Sequence, residues 1–233
     1  STGQYPVLFG EYRQRFEDGL FRLAGSGTAS DEDDRNAGIR EGEFRGHIST
    51  SGLFDIDNEK RWGFDIERAT DKDYERSFNF SNDRTLISHT YAEMFNGRSY
   101  GALQGYAFQG TLEDDDNDEA PFVLPLIDYN YVSEPVWRGS YFSLNANAMG
   151  VTRIEGRDVR RLSLEGAWTL PYTSSWGDIY TLSASLNGQL YSFNDFEPGS
   201  PDVNPTGPTE SGVEARILPR ISAEWRYPLA RDH

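Results

Sequence analysis

The side chains equipped for chemistry in this chain recur at every second position. Tyr141, Ser143, Asn145 and Asn147 make one series, and Arg161 and Glu165 belong to a second. Ser183, Ser185, Asn187 and Gln189 make a third, and Glu214, Arg216, Arg220, Glu224 and Arg226 a fourth. Hydroxyls, amides and charges of both signs suit binding and passage better than bond breaking. In a hydrated setting they exchange hydrogen bonds with sugar hydroxyls at little net cost, because each net bond is worth only about 1 kcal/mol. Such a wall lets a glycan slide without trapping it. The same residues would also serve the solvated inner side of any water-filled barrel, so residue chemistry alone leaves both readings open.

Catalytic arrangements are poor by comparison. His47 lies among Ser49, Thr50 and Ser51, and His89 follows Ser88, but adjacent strand residues point to opposite faces. His233 is the third histidine, and no nucleophile elbow with its strand-to-helix turn is expected, so the chain does not read as an enzyme. Two acidic runs, Asp31 to Asp34 and Glu113 to Glu119, are rich in oxygen ligands of the kind calcium and magnesium take. The first lacks the glycine and terminal glutamate of an EF-hand loop and the second lacks the glycine, so both read as solvated loops, with no metal and no cofactor expected. The absence of cysteine removes disulfides and thiolate metal sites from this segment.

The elements that must carry these residues are long strands. Leu162, Leu164, Gly166, Trp168 and Leu170 alternate with Arg161, Ser163, Glu165, Ala167 and Thr169. Tyr180, Leu182, Ala184, Leu186, Gly188 and Leu190 alternate with Thr181, Ser183, Ser185, Asn187 and Gln189. From Val213 to Tyr227 the pattern repeats, with Glu214, Arg216, Arg220, Ser222, Glu224 and Arg226 as the polar partners. Each segment therefore has one oily and one wet face. Such ribbons, with Trp62, Trp137, Trp168, Trp176 and Trp225 near strand ends in several cases, fit lipid outside and a watery lumen within.

Strand candidates run over approximately 6–16, 20–29, 40–54, 61–69, 84–95, 99–111, 121–132, 136–150, 158–170, 178–193 and 213–227, about eleven in all. No stretch carries a helical stripe. The expected fold is all-β: an antiparallel transmembrane β-barrel of outer-membrane type, partial, with residues 1–233 as part of one barrel domain. A formal charge of −16 argues against nucleic acid as a partner. No run of about 18 apolar residues exists for a helical span, and a mean hydropathy of −0.67 is compatible with strands that meet lipid at every second residue. A soluble β-sandwich or adhesin, its apolar face buried by a second sheet, is the rival architecture.

Short and long connections take turns. Glu17 to Gly19, Asp57 to Lys60, Asn96 to Arg98 and Ser133 to Pro135 read as tight turns, whereas Ser30 to Ile39, Thr70 to Asp83 and Glu113 to Ala120 read as long loops. The later pairs alternate less cleanly, and Asn194 to Gly212 is the longest connection. Short turns on the periplasmic side and long loops outside are the habit of outer-membrane barrels, so the first strand should descend toward the periplasm. Pro125 and Pro219 fall inside strand candidates, where a missing N–H points to an edge or a bulge.

Four stretches resemble the LPS-assembly protein LptD family, also called organic solvent tolerance protein. They are Gly10 to Phe16, Leu124-Pro125-Leu126-Ile127-Asp128-Tyr129, Arg161 to Gly177 with its Leu170-Pro171-Tyr172-Thr173-Ser174-Ser175-Trp176 ending, and Leu218-Pro219-Arg220-Ile221. They occur in the family's order along nearly the whole chain. The resemblance implies a translocon that inserts lipopolysaccharide into the outer leaflet of the outer membrane. It further implies an LptE lipoprotein plug in the lumen, an LptA bridge delivering cargo to a periplasmic N-terminal domain, and a lateral opening between the first and last strands. Against the family pattern this chain lacks the periplasmic domain, the disulfide cysteines, the first barrel strand and the second half of the barrel, and it reads as an excerpt. A general diffusion porin is the nearest functional alternative; it would need the same strands, a constricting inward loop and no plug.

Overall fold

The computed structural model describes residues 6–34, 38–196 and 210–228. Eleven strands follow one another: β1 (Leu8–Phe16), β2 (Gly19–Asp34), β3 (Gly38–Asp55), β4 (Lys60–Ala69), β5 (Thr85–Asn96), β6 (Ser99–Gly110), β7 (Phe122–Val132), β8 (Tyr141–Thr152), β9 (Asp158–Thr173), β10 (Ile179–Phe196) and β11 (Glu210–Arg226). They form one sheet in which each strand neighbours the next in sequence, from β1 to β11. A single helical turn, α1 (Tyr74–Ser77), interrupts the connection after β4. The architecture is the expected all-β antiparallel one, an open sheet with the character of part of a barrel.

Backbone contacts divide the chain into two compact units, Ser1–Ala92 with Gln104–Val123 and Arg153–Glu155, and Glu93–Leu103 with Leu124–Thr152 and Gly156–His233. In the first unit, β2 and β3 place Ala24, Ser26 and Thr28 opposite Ser49, His47 and Arg45, while Leu23, Gly25 and Gly27 stand opposite Thr50, Ile48 and Gly46 on the other face. That second face presents large apolar groups to the outside, with Phe44 72% and Ile48 45% exposed. The first face is covered by the connection between β4 and β5. Tyr74 of α1 is fully buried there. Its hydroxyl lies 2.6 Å from Ser26 Oγ, which in turn lies 2.8 Å from His47 Nδ1. Phe80 packs on the His47 ring at 4.5 Å, and Asp71 accepts hydrogen bonds of 2.9 and 2.6 Å from Arg45 Nε and Nη2. Burial leaves Ser26 and Arg45 little water, and each finds a partner in the connection, Tyr74 and Asp71 respectively.

In the second unit, β8 to β11 pair in continuous register. The apolar face runs in rows such as Ala146, Leu164, Gly188, Ile217 and Leu144, Gly166, Leu186, Pro219. Leu164, Leu186, Ile217 and Ile221 are 48%, 55%, 71% and 80% exposed. Among the described residues all eleven strands lie in one sheet and no second sheet covers them, unlike the two layers of a sandwich. Aromatic residues gather toward the short-turn ends: Phe54 stacks on Trp62 at 4.8 Å in the first unit, and Tyr180 stands between Tyr172 and Trp225 in the second.

Several boundaries differ from the sequence reading. The stretch Ser30 to Ile39, read as a long loop, is mostly paired backbone, since Glu32, Asp33 and Asp34 stand opposite Arg40, Ile39 and Gly38. The side chains of Asp31 to Asp34 lie outside the described residues, as do 197–209 of the longest connection and His233. The candidate strand 136–150 starts at Tyr141, because Trp137 to Gly139 form a 3-10 turn with Arg138 at a φ of 54°. Strand β9 continues through Pro171 to Thr173. Pro219 causes no bulge; it faces Leu186 in unbroken register.

Candidate functional site

The side chains of interest share the face opposite the apolar rows. Register sets Tyr141 beside Thr169, Ser183 and Ser222, and Asn145 beside Glu165, Asn187 and Leu218. Asn147, Ser163, Gln189 and Arg216 form a further row. Ser143, Ala167, Ser185 and Arg220 form another, and Arg161 faces Met149 and Tyr191, which in turn faces Glu214. The period-2 alternation of β8 to β11 is the reason these residues meet: with no register slip between β8 and β9 or along the body of β10, the alternating series of successive strands fall on one face, interrupted by Met149, Ala167 and Leu218.

A shallow cavity of about 220 Å³ opens in this wall, between residues of β6 to β10. Asn130 Nδ2 donates to Asn145 Oδ1 at 2.5 Å, Asn147 Nδ2 to Asp128 Oδ1 at 2.6 Å, and Asn187 Nδ2 to Glu165 Oε2 at 3.2 Å. Amides thus hold both carboxylates, and no Lys, Arg or His lines the cavity. Asn187 Oδ1 is shielded from solvent yet meets no donor, and Arg161 Nε is similarly buried and unpaired among the described residues.

Four of the residues singled out from sequence, Asn145, Asn147, Glu165 and Asn187, come together here. The acidic and basic residues of β11 do not: Glu214, Arg216, Arg220, Glu224 and Arg226 stand on an exposed strand, with Arg226 Nε 3.6 Å from Glu224 Oε1. Tyr141 lies away from the cavity under Arg98, whose guanidinium carbon sits 5.1 Å from the ring centre. Asp128 and Asn130 were missed, although their i, i+2 spacing within β7 was the same signal that marked the other strands.

Of the described histidines, His47 and His89 are both engaged in packing. His47 is packed beneath Phe80 and Tyr74, and His89 stacks on Tyr106 at 4.2 Å. The second acidic run is occupied with its own loop: Asp115 accepts from the Leu112 N–H and Asp116 from the Asp118 N–H, while Lys72 reaches the Glu113 and Asp115 carbonyls. No cluster of potential metal ligands occurs among the described residues.

No curated protein matches the sequence significantly. The family described as LPS transport system D, LptD, matches residues 43–233. That match takes in β4 to β11, with the whole polar wall and its cavity, and the chain belongs to the LptD family.

Proposed function

We propose that this chain is a stretch of the barrel wall of an outer-membrane translocon that inserts lipopolysaccharide into the outer leaflet. Its family is an outer-membrane component of lipopolysaccharide transport rather than an enzyme family. One observation carries the finer reading: four consecutive strands hold an uncovered apolar face on one side and a predominantly amide, hydroxyl and mixed-charge face on the other. Acyl chains match the first and a hydrated glycan matches the second. On this reading the strands cross the membrane repeatedly, the chain is part of a single larger barrel domain, and β1 and β11 meet further strands of it. An LptE-type lipoprotein occupies the lumen, and an LptA-type bridge supplies cargo from the periplasm. No bond is broken by this segment.

Depletion of the full-length protein tests the reading. Lipopolysaccharide should disappear from the cell surface and accumulate inside, and a lipoprotein should co-purify with the protein in detergent. Normal surface lipopolysaccharide after depletion would refute it.

A diffusion porin is favoured by one feature, the inward fold of residues 70–84 onto the polar face of β2 and β3. Solute flux that scales with the amount of protein, with lipopolysaccharide unaffected, would support that alternative.

A further inference from the structure

We propose that the cavity formed by Asp128, Asn130, Asn145, Asn147, Glu165 and Asn187 is a subsite for one neutral sugar ring of the passing glycan, and that it disfavours the phosphorylated part of the same molecule. The proposal rests on the transport reading above and narrows it to one place and one chemical class.

Size comes first. At about 220 Å³ the cavity is smaller than the roughly 300–1,000 Å³ of pockets that enclose drug-sized ligands, so it accommodates a single ring rather than a folded chain. Charge comes second. The lining contains two carboxylates and no cationic side chain, so a phosphate entering it meets like charge without a counterion, whereas an uncharged polyol meets only hydrogen-bonding groups. Arg161, two positions before Ser163 on the same face of β9, lies outside the lining.

Geometry comes third. The three amide contacts Asn130–Asn145, Asn147–Asp128 and Asn187–Glu165 tie six planar groups together across four strands. A carboxamide has two N–H donors and an acceptor oxygen, and a carboxylate has two acceptor oxygens, so each planar group can address adjacent hydroxyls of a ring. Asn187 Oδ1 already lacks a donor, and a small rotation toward the cavity would offer it to a sugar O–H. Tyr100 and Tyr129 border the same space and give it an aromatic margin. Each contact is worth little on its own, which suits a place where cargo pauses and moves on.

The test uses the full-length protein in its own outer membrane. A photo-crosslinking residue replaces Ser163, and in a parallel strain Tyr100, so that one position serves if the other impairs assembly; both leave the six planar groups intact. Cells make either lipopolysaccharide bearing neutral hexoses or a form truncated to its phosphorylated inner region. The hexose-bearing form should crosslink at least tenfold more than the truncated form. The double variant Asp128→Asn with Glu165→Gln, which keeps shape and removes both charges, should raise crosslinking of the truncated form. Equal crosslinking of the two forms, or none with either while surface lipopolysaccharide is normal, would overturn the subsite. Depletion of the protein in the same cells separates the two ideas: if it leaves surface lipopolysaccharide unchanged, the transport reading fails and the subsite with it, whereas defective surface lipopolysaccharide with equal crosslinking removes the subsite alone.

Discussion

Arg45 and Asp71 illustrate what a single residue contributes here. Their side chains are 9% and 8% exposed and 2.6 Å apart, and Arg45 also lies 5.8 Å from the ring centres of Tyr74 and Phe78. Removing one member of such a pair strands the other charge away from water, which costs about 3–5 kcal/mol. Asp71→Ala should therefore release residues 70–84, seen as faster limited proteolysis of that segment in the purified full-length protein, while Arg76→Ala at a half-exposed position should leave it unchanged. The neighbouring Glu75 is held above the usual carboxylate range by burial first, then by Glu67 and Asp83. A raised acid favours the folded loop below its ordinary value of 4.5, and that contribution is lost as pH rises through the elevated folded value. Glu75→Gln should accordingly slow hydrogen exchange of the loop at neutral pH, with the difference vanishing at the acidic end. None of this was legible from local sequence. Ser49, Thr50 and Ser51 are the obvious hydroxyls near His47, yet its partner is Ser26, which the β2–β3 register brings opposite it.

At the scale of elements, alternation did most of the work where it was long and clean. Strands β9, β10 and β11 emerged within a few residues of their final limits because a period of 2 sustained over many residues has no helical counterpart. The errors came from segments whose composition contradicts their conformation. Asp31 to Asp34 looks like a solvated loop, yet the backbone of Glu32, Asp33 and Asp34 is paired beyond a register shift, since a hairpin continues while backbone hydrogen bonds remain to be made. Helix α1 is only four residues long, too short to show a stripe, and its packing rather than its propensity holds it in place. Asp128 and Asn130 are hard to recognise from sequence because the face of β7 that carries them is otherwise apolar, with Phe122, Leu124, Leu126 and Val132. Glycines give an element-level test. A Cβ on Gly150 would stand 2.8 Å from the Leu124 carbonyl oxygen, whereas one on Gly166 would meet nothing within 4 Å. Gly150→Ala should weaken the β7–β8 pairing and lower the temperature at which the full-length protein loses its compact gel mobility, and Gly166→Ala should leave that temperature unchanged.

For the whole molecule, the two faces make opposite demands. Leu186 belongs to the uncovered apolar face, in one row with Leu144, Gly166 and Pro219. An arginine there should cost about 2–4 kcal/mol if the position lies near the bilayer midplane, so Leu186→Arg is expected to reduce the amount of protein assembled in the outer membrane. Thr169→Arg, on the polar face beside Tyr141 and Ser183, should assemble normally, and quantitative membrane fractionation distinguishes the two. Fold class and family were readable from the chain because both depend on repeated signals, the alternation and the ordered blocks. The cavity draws its six amide and carboxylate groups from four strands and needed the register to assemble them. The strand order carries a last implication. Because every strand lies beside its immediate predecessor, each pairing closes only a short span of polypeptide, at a small entropic cost. The wall can thus be laid down like a row of staves, one at a time, each new stave finding its place on the rim left by the one before. A mutation that stalls one hairpin would leave the earlier staves standing and an open rim waiting for the next.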